Sequence, residues 1–503
     1  MAENFKIACR GSWLSRAQVE IFKQKVLTVD PTVTFEAVIV ETAGDKNQTT
    51  PLHLVEGKDF FTKEIHEVIT AGIADFALHS MKDVSSEEYF KGTTYAVIDR
   101  DCLQDTIIFN RNILEKIKKG EEISIGTSSP RRNYAVLNFL SKALPVLGPP
   151  PTLKPVPIRG NVDTRLKKLD RGEYDGIVLA VAGINRLLAY APAVHTIQAL
   201  LRDKLKMVLP LFECPPAAGQ GAIVAEAASE NKRAVSILQK IEDATLTQAI
   251  KSERKSAYKY GYGCSQQFGT FHLDLLTTSF TYSAGLDNNH NAILDFDFYV
   301  PLQTKDKVLF TGTDYMGKFF EYSYEQEQSE LSNLVFVANH KAVHSPSVIE
   351  ALQSKKVWAA GSRTWKELAK KGIWVEGCAD GLGLDFIQGI LSSNYINVKK
   401  TEVTILTSQS SYKHWIGEGW KATYSYQAIA NPSHEIIKSV KWADIILWTS
   451  YEQYLSLKEY VKKEVVHCSL YGKTSELLKE DNLNPIIFPG IKAFQVWREK
   501  NFK

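Results

Sequence analysis

The chain has 503 residues, which at roughly 100–200 residues per domain divides into about three to five folding units and can bury a large core without disulfides or metals. Its 44% hydrophobic, 11% aromatic and 23% charged residues exclude a disordered or fibrous chain. A net charge of +3, from 60 basic and 57 acidic residues, gives no overall field for nucleic acid, so any electrostatic function must be local. Six cysteines stand at 9, 102, 214, 264, 378 and 468; none forms a metal-type CxxC pair, which predicts separate thiols in a reducing compartment and no metal. No stretch approaches the roughly 18 apolar residues of a membrane span, and MAENFKIACRGSW lacks an apolar signal core. The expectation is a cytoplasmic protein without nucleic-acid or membrane partners.

In chain order, strand-like and helix-like stretches alternate. FKIACR leads to SWLSRAQVEIFKQKVL, TFEAVIVET to a polar loop, and FTKEIHEVITAG to DFALHS. Residues 122–126 lead to SPRRNYAVLNFL, residues 156–159 to NVDTRLKKLDRG, and YDGIVLAVAG to INRLL. Such alternation with short turns predicts parallel α/β sheets. Residues 144–157, with six prolines, read as an irregular connection. A helical run over 232–258 precedes GYGCSQQFGTFHLDLL and a strand pair joined across Asp287-Asn288-Asn289, which reads as a small α+β unit. From about 305 the alternation resumes with an internal echo. NLVFVANHKAV and KVWAAGSRTWKELAKKG are answered by DIILWTSYEQYL and VVHCSLYGKTSELLKE, predicting two similar α/β lobes. Residues 407–419 and the strand TYSYQAI are assigned to the second of them, and KVLFTGTDYMG supplies the opening strand and turn.

Arginine recurs at strand-to-helix turns. In IGTSSPRRNY, Ser128 or Ser129 can cap a helix, Pro130 suits its first position, and Arg131 and Arg132 follow. Arg10 precedes Ser12 at the first helix, Arg159 and Arg165 flank Asn161, and Arg186 follows 180–183. A single such arginine reads as solvated surface, but repetition at strand ends points to a ligand with several carboxylates or phosphates. In ADFALHSMKDV, Lys82 and Asp83 follow a buried strand, where Asp83 is either a cap or a group that stabilises a developing cation. Cys264, between glycines and SQQ, reads either as an inert thiol or as an uncovered nucleophile. GQGA at 219–222 is only half a dinucleotide fingerprint and is discounted.

ALHSMKDV, IGTSSPRR, IRGNVDTRLKKLDRGEYDGIVLAVAGINRL and AAGQGA, in this order and followed by a glycine-flanked cysteine, resemble the porphobilinogen deaminase (hydroxymethylbilane synthase) family over about residues 5 to 300. The remainder resembles uroporphyrinogen-III synthase. The resemblance implies two periplasmic-binding-protein-like α/β lobes (1–95 plus 190–220, and 96–189), a small α+β cysteine-bearing domain (221–304), and a bilobed flavodoxin-like α/β unit (305–503). It implies a dipyrromethane cofactor on Cys264 through a thioether, with porphobilinogen losing ammonia to an azafulvenium-like cation that the growing chain attacks. Asp83 is then the catalytic carboxylate, assisted by Lys82. Arg131, Arg132, Ser128 and Ser129 hold the cofactor, and Arg10, Ser12, Arg159, Arg165, Arg186, Lys58 and Phe61 the substrate, a pyrrole bearing several carboxylates.

Three positions depart from the family pattern: EGKDFF at 56–61, SQQ after the cysteine, and Glu-Ala-Ala at 226–228. For the C-terminal half the implied reaction is closure of hydroxymethylbilane to uroporphyrinogen III, with Thr364, Tyr426, Ser450 and Thr474 as donors in the cleft, or else as helix caps and a core tyrosine. Ala338 and Asn339 stand where that family often has Thr and Ser, which leaves a non-catalytic scaffold as the alternative for this half. A two-lobed anion-binding module without catalysis is the alternative for the first. A monomer is compatible with everything above.

Overall fold

The computed structural model describes residues 3–46, 62–85, 87–261, 266–275, 278–315, 317–324 and 330–502. The chain divides into two compact units, residues 1–272, 281–294 and 393–397 in the first and 273–280, 295–392 and 398–503 in the second. Both are mixed α/β. Among the described residues no helix is long and apolar enough to cross a membrane.

The first unit runs through β1 (Asn4–Cys9), β2 (Thr34–Ile39), β3 (Phe76–Ser80), β4 (Thr93–Arg100), β5 (Asp105–Asn110), β6 (Ile123–Gly126), β7 (Leu153–Val156), β8 (Gly176–Ala180), β9 (Lys204–Val208) and β10 (Ala222–Ala228). These form two five-stranded sheets, ordered β2-β1-β3-β10-β4 and β7-β6-β8-β5-β9. The helix Trp13–Val29 forms because Ala17, Val19, Phe22 and Val26 recur on one face and are buried. Phe22 meets Phe76 of β3 with ring centroids 4.9 Å apart, and Ser12 accepts from the Ser15 N–H to cap the helix.

The sheets are not wholly parallel. β10 runs antiparallel to β3 and β4, and β5 runs antiparallel to β8 and β9. The alternation of elements records local order only. The chain passes between the sheets twice, through 101–104 and 209–221, and enters its new sheet reversed each time. The same pairings move the expected lobe boundaries: 222–228 joins the first lobe with β4, and 204–208 joins the second. The proline-rich stretch is not irregular throughout, since Leu153–Val156 pairs in parallel with β6. The helical run splits into Lys232–Ile241 and Ala244–Tyr260, because Asp243 breaks out to accept from Leu246 N–H and cap the second helix. β11 (Gln267–Leu275), β12 (Thr278–Leu286) and β13 (Ala292–Asp297) follow in a three-stranded sheet. The Asp287 carboxylate receives Asn289 and Asn291 N–H in the predicted turn.

In the second unit β14 (Leu309–Thr311), β15 (Phe320–Tyr324), β16 (Leu334–Val337), β17 (Lys356–Ala359), β18 (Val375–Cys378), β19 (Val403–Ser408), β20 (Lys421–Ala430), β21 (Ile445–Trp448), β22 (Val466–Leu470) and β23 (Ile486–Phe488) form two sheets. Their orders are β15-β20-β19-β16-β17-β18 and β14-β21-β22-β23. The echo in the sequence is an echo in topology: β16 pairs with β17, and β21 with β22, in parallel, and a helix follows each second strand, Ser362–Ala369 and Lys473–Glu480. One assignment is corrected. β20, which contains TYSYQAI, is bonded to β19 and β15 in the first lobe, because its register with Thr404–Ser408 leaves it no place beside β21. The opening strand β14 pairs instead with β21, Leu309 opposite Ile445, so the six-stranded sheet is inserted into the chain of the four-stranded one.

Candidate functional site

In the first unit a cavity of about 360 Å³ opens where β1, β3, β6 and β8 end, the edge at which parallel strands release loops and helix N-termini. Each turn contributes as its local sequence dictates. After β1, Arg10 and Ser12 reach the cavity. After β3, Met81–Asp83 form a single 3-10 turn that buries Met81 and leaves Lys82 and Asp83 on the wall. After β6, Ser129 caps the helix Pro130–Ala143 by accepting from Arg132 N–H, with Pro130 in its first turn. Ser128 exchanges bonds with the Ile158 backbone. The cavity brings together Arg10, Lys82, Arg131, Arg132, Arg165 and Arg186 with Asp83, Ser12, Ser128 and Ser129. Arg159 is not among its lining residues. Lys58, Phe61 and Cys264 lie outside the described residues.

The cations differ in what they already hold. Asp105, the first residue of β5, is fully buried and accepts from Arg132 Nη2 at 2.7 Å, Arg132 Nε at 3.1 Å and Arg131 Nη2 at 2.9 Å. Burial opposes its charge, but the Arg132 and Arg131 guanidinium groups outweigh that and hold its carboxyl far below the usual range. Arg131 also donates to Pro215 O and Arg132 to Val178 O, so both forks are largely engaged. Arg186 holds Gly221 O at 2.6 Å and Asp99 at 3.1 Å, and Arg10 is ion-paired to Asp45. Arg165 stands apart: its hydrogen bond among the described residues is from Nε to Gly160 O. Burial, then the nearby Arg132 and Arg159, depress it to about 10. Lys82 falls to about 8, chiefly through burial, with Asp83 opposing.

Sequence reading missed Asp105 and undervalued GQGA. Gly219 and Gly221 both adopt positive φ, +75° and +82°, and a Cβ on Gly221 would meet Asp101 O at 2.6 Å, so the turn requires glycine. It aims Gln220 Nε2 at Leu103 O and Asp105 Oδ1. The Gly219 N–H meets Glu253, a buried carboxylate also paired with Arg100 at 2.8 Å. Glu226, noted only as part of a departure, is fully buried and accepts from His79 Nε2 at 2.8 Å and from Thr93 and Tyr89 hydroxyls. His66 and His79 bring it down to about 2 against burial.

In the second unit, Thr364 is buried in the first turn of Ser362–Ala369. Ser450 caps Tyr451–Leu457 by accepting from Gln453 N–H. Thr474 lies at the start of Lys473–Glu480, and Tyr426 is 6% exposed, its acidity reduced by burial. Among the described residues no hydrogen bond joins these four to one another.

Strand ends lined by cations, with one half-buried carboxylate among them, give this α/β protein a cavity whose charge suits a small polyanion. The family pattern "Porphobilinogen deaminase, dipyromethane cofactor binding domain" matches residues 5–236. A "Probable porphobilinogen deaminase" of Pyrobaculum islandicum is 34% identical over 266 residues, 52% of this chain and 81% of the relative. One of Hyperthermus butylicus is 34% identical over 276 residues, 53% and 80%, and a "Porphobilinogen deaminase" of Acidithiobacillus ferrooxidans is 32% identical over 264 residues, 52% and 79%. The chain belongs to the porphobilinogen deaminase family. Its N-terminal half is a porphobilinogen deaminase, a transferase of tetrapyrrole synthesis that uses a dipyrromethane cofactor. The cavity fits such a group. Its ring carboxylates need donors, and Arg165 retains terminal N–H groups with no hydrogen bond among the described residues, while Arg186 Nε is buried with none.

Proposed function

We propose that the first unit condenses porphobilinogen to hydroxymethylbilane at this cavity and that the C-terminal half closes the product to uroporphyrinogen III. The observation that carries the first part is the convergence of six cationic side chains and Asp83 on one cavity. When bound, the dipyrromethane, attached to Cys264 by a thioether, supplies the free α-carbon from which the pyrrole chain is extended. Arg131, Arg132, Ser128 and Ser129 would hold its carboxylates, and Arg10, Ser12, Arg165 and Arg186 those of the substrate, with Arg159 at the next turn and Lys58 and Phe61 as further substrate contacts outside the described residues. As the carbon–nitrogen bond of porphobilinogen breaks and ammonia leaves, Asp83 faces the cation formed on the substrate and accepts the pyrrole N–H. Lys82 beside it holds a ring carboxylate of the cofactor or substrate.

The second part is supported by the duplicated strand-and-helix lobes, which place Thr364 and Thr474 at matching turns, with Tyr426 and Ser450 as further donors. One feature favours the alternative of a non-catalytic scaffold: the Asn339 side chain accepts from Lys341 N–H and is spent on its own turn. Two measurements test these readings. Intact-mass analysis should show a dipyrromethane adduct that disappears in Cys264→Ser; an unmodified wild-type chain that consumes no porphobilinogen overturns the first part. Product analysis with porphobilinogen should give isomer III, and isomer I alone overturns the second.

A further inference from the structure

Gln220 lines the first unit's cavity and is itself fully buried. Its backbone is pinned, the N–H donating to Ala217 O at 3.0 Å and the carbonyl accepting from Arg100 Nε at 3.1 Å. Its two amide protons are taken as well, by Leu103 O at 2.7 Å and Asp105 Oδ1 at 3.0 Å. Both partners can only accept, one being a carbonyl and the other a carboxylate kept ionised by Arg132 and Arg131. The amide therefore has one orientation, and its Oε1 is left buried with no hydrogen bond among the described residues. Such an orphan is costly unless something supplies the missing donor.

Two other buried atoms of this wall lack a hydrogen bond, Arg186 Nε and His79 Nδ1. The first is a donor and suits a carboxylate, and the role of the second changes with its tautomer. Gln220 Oε1 is a neutral acceptor in every state. It stands on a wall of six cations in which Asp83 is the single carboxylate among the described residues. The turn that carries it is packed on the turn that carries Asp83: a Cβ on Gly219 would meet Met81 Cγ at 2.8 Å and the Lys82 backbone nitrogen at 3.3 Å.

Porphobilinogen presents two carboxylates, which the cations serve, and two kinds of donor, the pyrrole N–H and an aminomethyl group that is an ammonium at neutral pH. With the pyrrole N–H assigned to Asp83, the amine still needs an acceptor. We propose that Gln220 Oε1 accepts from the aminomethyl nitrogen of porphobilinogen and forms the leaving-group subsite of the condensation. The proposal deepens the condensation reading of the first unit and rests on it for the identity of the ligand. In the step it serves, the carbon–nitrogen bond breaks with its electron pair going to nitrogen, so the ammonium leaves as neutral ammonia and its positive charge passes to the pyrrole ring. A neutral oxygen suits both ends of that step, accepting from the ammonium before it and from ammonia after it. A carboxylate in its place would stabilise the charge that nitrogen must lose and so deepen the ground state. The charged acceptor, Asp83, is reserved for the ring that gains the charge.

The test compares two ligands on the holoenzyme: porphobilinogen, through its kcat/KM, and an analogue with methyl in place of aminomethyl, through its competitive Ki. Gln220→Met should lower kcat/KM for porphobilinogen roughly tenfold to a hundredfold, the loss of one hydrogen bond to a charged group, and change the Ki of the methyl analogue less than about twofold. Gln220→Asn keeps the amide but draws it back by one methylene; it should show the same selective loss, and it decides the matter if Gln220→Met does not fold. A parallel loss for both ligands would make Gln220 a latch on Asp105 and nothing more, and overturns the subsite, as does an unchanged kcat/KM. If wild type consumes no porphobilinogen, the condensation reading fails, and equilibrium binding of the same two ligands still decides: a loss confined to the amine-bearing ligand supports the subsite, and equal losses or none overturn it.

Discussion

Arg132 grips Asp105 with two parallel bonds, Nη2 to Oδ1 at 2.7 Å and Nε to Oδ2 at 3.1 Å. Arg131 takes the remaining capacity of Oδ2. A bidentate pair buried from water is stabilising only while both charges remain, since removing one partner strands the other in a low dielectric. Asp105→Asn leaves two buried guanidinium groups facing a neutral amide, and the expected loss is about 3–5 kcal/mol. Urea unfolding that shows a change under about 1 kcal/mol would mean water enters to solvate the pair.

The same carboxylate sets an acid limit. Its folded pKa is depressed by Arg132 and Arg131, so the stabilisation is fully present above the unfolded carboxylate value. It is lost as pH falls below that value toward the folded one. Wild type should therefore lose stability between about pH 4 and the acid extreme, and Asp105→Asn should lack that component of the slope. Parallel acid titrations of the two proteins would settle it, and superimposable slopes would contradict the assignment.

Arg165 behaves oppositely. Depressed to about 10 by burial and by its cationic neighbours, and bonded to Gly160 O alone among the described residues, it is a strained charge awaiting an anion. Arg165→Leu should change stability by less than about 1 kcal/mol, because no ion pair is broken. Porphobilinogen affinity should fall roughly tenfold to a hundredfold, the loss of one or two charge-assisted bonds. A destabilised protein with normal KM would show Arg165 to be structural.

Asp83 sits on a turn whose packing depends on Met81, so Asp83→Ala should retain the melting temperature and lose nearly all turnover. Its contribution belongs to the transition state, which predicts a fall in kcat larger than any rise in KM. Activity within tenfold of wild type would remove it from the mechanism.

These residues also mark how far the sequence was legible. A cap at Ser128 or Ser129 with Pro130 behind it was readable because caps are local chemistry, and the lobe echo was readable because it repeats a strand, a turn and a helix. Asp105 was not readable: nothing near CLQDT signals that its partners lie 26 and 27 residues away, and only folding joins them. For the same reason the sequence does not show that Arg131 and Arg132 are engaged by Asp105. Strand direction and the place of β20 depend on pairings such as Ser408 with Tyr426, which periodicity cannot encode. Gly219 and Gly221 were visible as glycines, but their need for positive φ at the Asp105 latch was not.

Lys82 gives a pH signature. Burial lowers it to about 8, with Asp83 opposing and Arg132 assisting the shift. Its charge is lost as pH rises through that value, so affinity for a carboxylate substrate should decline between about pH 7 and 9. The stability effect has the other sign. A lysine at 10.5 when unfolded binds more protons in the unfolded chain between 8 and 10.5, so stability rises with pH across that window and the cost of burying the charge is greatest below 8. Lys82→Met should remove that rise, being relatively more stable at pH 7 than at pH 10, and should flatten the alkaline rise in KM. Steady-state kinetics and urea unfolding at pH 7, 8.5 and 10 measure both, and an alkaline rise in KM that persists in Lys82→Met would assign the titration to another group.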